Sequence, residues 1–147
     1  MLINKFTKLS FLVTLLAGFS AHGQDVPVQT LTSLSDEFLR NSDLFRRTHS
    51  GKSFVIRGLL SSYTTFTAEG KEQVIVVVAP SRELKLYFSL VCPLSNLADR
   101  NYLDKLNVGL DDVVLSGNFA KDLSTKSLYA TLGFGTTLDG VGCRVRN

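Results

Sequence analysis

The sequence predicts a small, mainly β barrel with one helix ahead of it and a short helix in its middle. Three observations carry this. Past residue 52 the apolar side chains recur at every second position, and β-branched and aromatic residues dominate. Turn residues cut that region into five short runs. The two stretches with helical spacing fall before the first run and between the third and fourth.

Size and composition fit this picture. The chain has 147 residues, 44% hydrophobic and 20% charged, with 3 prolines, 11 glycines and no tryptophan, which suits one domain and excludes collagen, coiled coil and disordered tail.

Residues 1–23 read as a secretory signal peptide. Lys5 and Lys8 precede an apolar run over residues 9–19, and Ala21 and Gly23 stand at the minus-three and minus-one places for cleavage before Gln24. About 11 apolar residues fall short of the roughly 20 that a membrane-spanning helix needs. The expected mature domain is therefore residues 24–147, periplasmic or secreted, with no stable membrane insertion. The whole chain carries a formal charge of +3, but without Lys5 and Lys8 the count falls to 14 basic against 13 acidic residues, a net of +1. That balance and the exported address make nucleic acid an unlikely partner on this reading, and another envelope or secreted protein the expected one.

Export also decides how the cysteines are read. Cys92 and Cys143 are the only two, and an even count in an exported chain favours a disulfide over a metal site or a catalytic thiol. Closing a loop over 51 positions is worth about 4 kcal/mol in the chain-entropy treatment.

In the mature chain, Leu31, Leu34, Phe38, Leu39 and Phe45 form an amphipathic stripe that predicts a helix over about 34–47, with Ser33 and Asp36 resembling a capping box. The first strand begins at Lys52. Phe54, Ile56 and Leu60 face inward, Val55, Arg57, Leu59 and Tyr63 outward, and Gly58 suggests a bulge or bend. Residues 68–71 form a turn, 73–79 a nearly unbroken apolar second strand, and 83–92 an alternating third strand with Cys92 on its inward face. Leu94, Leu97, Tyr102, Leu103 and Leu106 suggest a short helix. Residues 112–119 make the fourth strand and 127–134 the fifth, and a glycine-rich tail carries Cys143. Five strands with a helix between the third and fourth is the plan of the OB-fold, a partly open Greek-key barrel.

The residues also resemble a family. Phe38-Leu39-Arg40-Asn41 followed by Gly51-Lys52-Ser53-Phe54-Val55-Ile56-Arg57-Gly58 is similar to the opening of the tRNA-anti-like OB-fold family. Leu90-Val91-Cys92-Pro93-Leu94, residues 103–117 and Gly142-Cys143-Arg144-Val145 are similar to the rest of its pattern. The resemblance implies an exported bacterial OB-fold protein of poorly defined role, with no catalytic residues to carry over.

Nothing in the residues spells an enzyme. His49 is the only histidine of the expected mature chain, too few for a metal site, and it reads as a cation at a helix end. The adjacent acids Asp36-Glu37 and Asp111-Asp112 read as solvated surface, and the glycines of residues 133–142 open no helix, so no cofactor is expected. Binding remains. The outer face of the second and third strands of an OB-fold, with its flanking loops, is the usual docking surface. Here it is expected to present Arg57, Tyr63, Phe66, Lys85 and Tyr87, with a protein partner docking on this barrel face or on an exposed strand edge or, alternatively, a small ligand, oligosaccharide or polyanion binding the face.

Overall fold

Described by a computed structural model over residues 25–124, 126–132 and 135–147, the chain begins with a three-residue strand, β1 (Val28–Thr30). Two helices follow, α1 (Leu31–Arg40) and α2 (Ser42–His49). The barrel strands are β2 (Ser53–Ala68), β3 (Lys71–Ala79), β4 (Phe88–Pro93), β5 (Asp112–Phe119) and β6 (Thr136–Arg146). Between β4 and β5 lie a 3₁₀ turn at Leu97–Asp99 and the one-turn helix α3 (Arg100–Leu103). The expected signal segment, residues 1–23, lies outside the described residues.

The strands run in the order β1-β2-β3-β4-β6-β5, and β5 returns to pair with β2, which closes the ring. β4 and β6 are parallel and the other barrel pairs antiparallel. This is the OB-fold connectivity, with the short helix in the expected slot. The sheet has six strands instead of five because β1 adds to β2 in parallel register, Val28 opposite Val55 and Thr30 opposite Arg57. Three residues with one hydrophobic pair leave no periodic signal to read.

The expected single helix is two. Asn41 breaks it with extended angles (φ −157°, ψ 89°), closing α1 through its backbone N–H and capping α2 by accepting from Leu44 N at 3.0 Å. The true N-cap of α1 is Thr30, whose hydroxyl accepts from Ser33 N at 3.2 Å, so the residues read as a capping box sit inside the helix. The buried stripe of the pair feeds a cluster of phenylalanines. Phe38 packs edge-on to Phe45 at 5.4 Å and against Phe88 at 5.6 Å, and Phe54 and Phe119 approach to 4.8 Å.

The second and fourth expected strands stand, as parts of β3 and as β5. The third is shorter, because residues 81–87 form a turn: Leu84 N bonds Ser81 Oγ, and Tyr87 N and Phe88 N bond Leu84 O. Leu84 and Leu86 are consequently exposed. The fifth is displaced. Residues 127–132 have no strand, Gly133 and Phe134 lie outside the described residues, and the tail expected to be irregular is β6.

Glycine explains that misreading. The buried Cys92–Cys143 disulfide, Cα–Cα 6.0 Å, sits between Gly117 and Gly140. Those glycines exist to admit sulfur, not to break a strand. Gly58 has a similar reason: a Cβ there would stand 2.5 Å from Val78 Cγ1 and 2.9 Å from Ala79 O, so it marks close approach, and the bulge lies further on, between Leu60 and Ser62.

Candidate functional site

The bulge in β2 decides what its side chains can do. Alternation resumes out of phase beyond it, so Tyr63, opposite Val76, turns toward the core while Phe66 points away. Tyr63 Oη donates to Asp104 at 2.7 Å, and that hydrogen bond holds the phenol proton and raises its pKa above the ordinary tyrosine value. Arg100 links Asp104 to Glu72, with its guanidinium 3.8 Å and 3.4 Å from the two carboxylates. Tyr63 thus ties the β2–β3 hairpin to α3. Arg57 lies below the bulge beside β1 and β5, whereas Lys85 and Tyr87 belong to the turn before β4. The five residues expected to share one face are therefore spread over three regions.

The outer face of β3 and β4 is apolar and already covered. Ile75, Val77 and Val91 are buried there with Tyr129 of the β5–β6 connection packed on them. That connection is pinned by Asp139, which accepts from Ser127 Oγ and from Leu128 N at 2.9 Å. Of the adjacent acids, Asp36 and Asp112 are exposed as expected, whereas Glu37 and Asp111, with His49, hold structure. Asp111 accepts from Asn107 N at 2.7 Å, and His49 Nε2 lies 2.9 Å from Glu37 Oε1 with its ring 4.2 Å from Phe45.

Register assembles a different face. Arg57 pairs with Val114 on β5, and Val114 pairs with Arg146 on β6, so the two arginines flank one valine in a row across three strands. Their neighbours Ile56, Val113 and Leu115 are core, which puts Arg57, Val114 and Arg146 outside. In the adjacent row Val55, Ser116 and Arg144 align. Arg144 is committed: its Nε donates to Asp99 Oδ2 at 2.9 Å. Burial pushes the Asp99 carboxyl up, but the Arg144 guanidinium and Val145 N–H outweigh it, and the net pKa is lowered.

Arg57 and Arg146, by contrast, have no ion pair or side-chain hydrogen bond among the described residues and are exposed. They line an open groove of about 790 Å³ with Ser53, Ser116 and Asn118, and Asp25 is the one acidic side chain among its described lining residues. Arg57 was legible as a candidate. Arg146 was not, because its place depends on pairing with a strand the sequence hid. Among the described residues no three His, Cys, Asp or Glu side chains gather into a metal site, and no helix is long and apolar enough to cross a membrane.

No protein-family profile matches the chain, and no curated protein is significantly similar to it in sequence. Solved structures are similar in fold. One is a "putative nucleic acid-binding lipoprotein" from Klebsiella pneumoniae subsp. pneumoniae, 12% identical, TM-score 0.59, over 83% of this chain and 92% of that one. RecG bound to a three-way DNA junction follows at 13% identity and TM-score 0.48, over 82% of this chain but 12% of RecG. Yeast Stn1 and Ten1 are 10% identical with TM-score 0.40, over 87% of this chain and 66% of theirs. The likeness to the Klebsiella lipoprotein, with the strand order of the ring, supports the OB-fold. That likeness also corrects the expectation that nucleic acid is an unlikely partner and an envelope or secreted protein the expected one, since a lipoprotein of this fold is itself named for nucleic-acid binding. The physical error was to judge a local surface by the net charge of the whole chain.

Proposed function

We propose that this chain is an exported OB-fold binding module that takes single-stranded nucleic acid along the outer face of β2, β5 and β6. The observation that carries the reading is the row in which Arg57 and Arg146 flank Val114 with both guanidinium groups unpaired among the described residues. Guanidinium groups match phosphate bidentately, and a rigid sheet holds these two about 10 Å apart, two strand spacings. Ser53, Ser116 and Asn118 add hydrogen-bonding groups beside them. Among the described lining residues of the groove no aromatic ring is exposed, so recognition is led by the phosphate backbone and tolerates sequence. The Klebsiella lipoprotein named for nucleic-acid binding supports this choice among polyanions.

Export rests on the signal-like residues 1–23 and on the disulfide, which suits an oxidising compartment such as the periplasm or the cell exterior. The motif resemblance argues for the tRNA-anti-like family, and the role is binding without catalysis.

Fluorescence anisotropy with a labelled oligothymidylate tests the reading. The wild-type chain should bind, and the Arg57→Ala/Arg146→Ala double variant should bind at least tenfold more weakly while keeping its circular dichroism spectrum. Equal affinities for a correctly folded double variant would overturn it.

A further inference from the structure

Beyond its bulge, β2 has a free edge. β3 takes one side of the strand from Leu59 to Ala68, but on the other side β5 stops at Leu59. Leu60 closes that side: its N–H donates to Asp111 O at 2.9 Å and its C=O accepts from Gly109 N at 2.7 Å. From Ser61 to Ala68 the same side pairs with no strand among the described residues.

Hydrogen bonding fixes which residues of this edge point outward. Val74 O accepts from Leu94 N at 2.8 Å, so Val74 turns its polar groups to β4 and away from Thr65, its opposite number on β2. Thr65 therefore directs its own N–H and C=O to the free side, and alternation adds Tyr63 and Thr67. Among the described residues no group takes these bonds. Thr64, Thr65, Phe66 and Thr67 are exposed, and the stretch from Gly58 to Ala68 has no charged residue and no proline. Free edges are ordinarily guarded by Lys, Pro or a cover, so this threonine-rich, aromatic edge is a template for another strand.

Its symmetry selects the strand. The outward residues are centred on Thr65, so a second copy running antiparallel about a two-fold axis pairs Thr65 with its own equivalent and Tyr63 with Thr67, each pair exchanging both hydrogen bonds. A shift of the register leaves Tyr63 or Thr67 without a partner. On the face away from the core, this register sets Phe66 opposite Thr64 and places the two Phe66 rings on a diagonal of about 7–8 Å, within aromatic reach. The ends match in charge. The turn at Glu69 of one copy arrives beside Ser61 and Leu60 of the other, where Gly109 O accepts from Arg82 Nε at 2.7 Å. An acidic tip thus meets a basic loop at both ends of the seam. Single-stranded nucleic acid would find no cation along this edge.

We propose that the protein forms a two-fold dimer through antiparallel pairing of the β2 edge at Tyr63–Thr67, with Glu69 of each copy beside Arg82 of the other. The row of Arg57 and Arg146 lies on the part of β2 that β5 covers and stays open in the dimer.

Sedimentation velocity over a concentration series tests this, together with isotope-filtered NOE spectra of a mixed labelled and unlabelled sample. The seam is short, so a dissociation constant of about 10–100 µM is expected. Intermolecular NOEs should connect Thr64 with Phe66. Thr65→Pro, which removes an outward N–H and spares the β2–β3 ladder, and Thr65→Lys, which sets two cations face to face on the axis, should each weaken the dimer at least tenfold with unchanged circular dichroism. Glu69→Lys should weaken it severalfold. The Arg57→Ala/Arg146→Ala variant should dimerise like wild type, which separates this outcome from that of the nucleic-acid groove. A monomer at about 500 µM, a dimer undiminished by both Thr65 variants, or NOEs that place other residues at the seam would each overturn the proposal. Shifts at Tyr63–Thr67 that answer to oligothymidylate in a monomeric protein would assign the edge to nucleic acid and overturn it as well.

Discussion

Gly140 faces Cys92 so closely that a Cβ on the glycine would stand 2.5 Å from the Cys92 sulfur, and Gly117 meets the Cys143 sulfur at 2.8 Å in the same way. The disulfide is thus packed between two strand positions that have no room for a side chain. Gly140→Ala must push the bridge or the β4–β6 pair apart, an overpacking change that costs about 1–3 kcal/mol. Urea unfolding should show a lower midpoint with an unchanged slope. An unaltered midpoint would mean that the strands yield without strain.

The bridge itself should dominate stability. Its 51-residue separation gives about 4 kcal/mol in the chain-entropy treatment. The Cys92→Ala/Cys143→Ala variant should lose an amount of that order in urea unfolding. Both sulfurs are fully buried. Dithiothreitol should therefore leave the folded protein oxidised and act only once urea opens the barrel, which thiol titration with and without denaturant measures.

Acid should weaken the join between the β4–β5 connection and β6. Asp99 has its pKa lowered on folding, so its contribution is fully present above the unfolded carboxylate value near 4 and is lost as pH falls through the folded value. Arg144 is half exposed and water screens the pair, which limits the effect to about 0.5–1 kcal/mol. Asp99→Asn should be destabilised by that amount at pH 7, and the gap to wild type should shrink below about pH 4. A gap that stays constant down to pH 2 would assign the effect to something other than the carboxylate charge.

Some of this architecture was legible in the residues, and some was not. β5 and the core of β3 were readable because Val74, Val76, Val113 and Leu115 keep strict alternation or a continuous β-branched run. The disulfide was readable because only two cysteines exist. β6 was hidden because Gly140 and Gly142 look like breakers when the sulfur that needs the first of them is 48 residues away in sequence. The arginine row was hidden for a related reason. A row across three strands is a property of register, and half of it lies on the strand that could not be seen. Tyr63 was assigned to the wrong face because a bulge between Leu60 and Ser62 leaves no mark in composition.

The most direct test of where this barrel binds is an amide shift map of the ¹⁵N-labelled protein with an oligothymidylate. Perturbations should gather at Val55–Arg57, Val114–Asn118 and Arg144–Arg146, and fade as salt is raised. A map centred on Ile75, Val77, Val91 and Tyr129, or one with no localised shifts, would contradict the assignment of the β2–β5–β6 face.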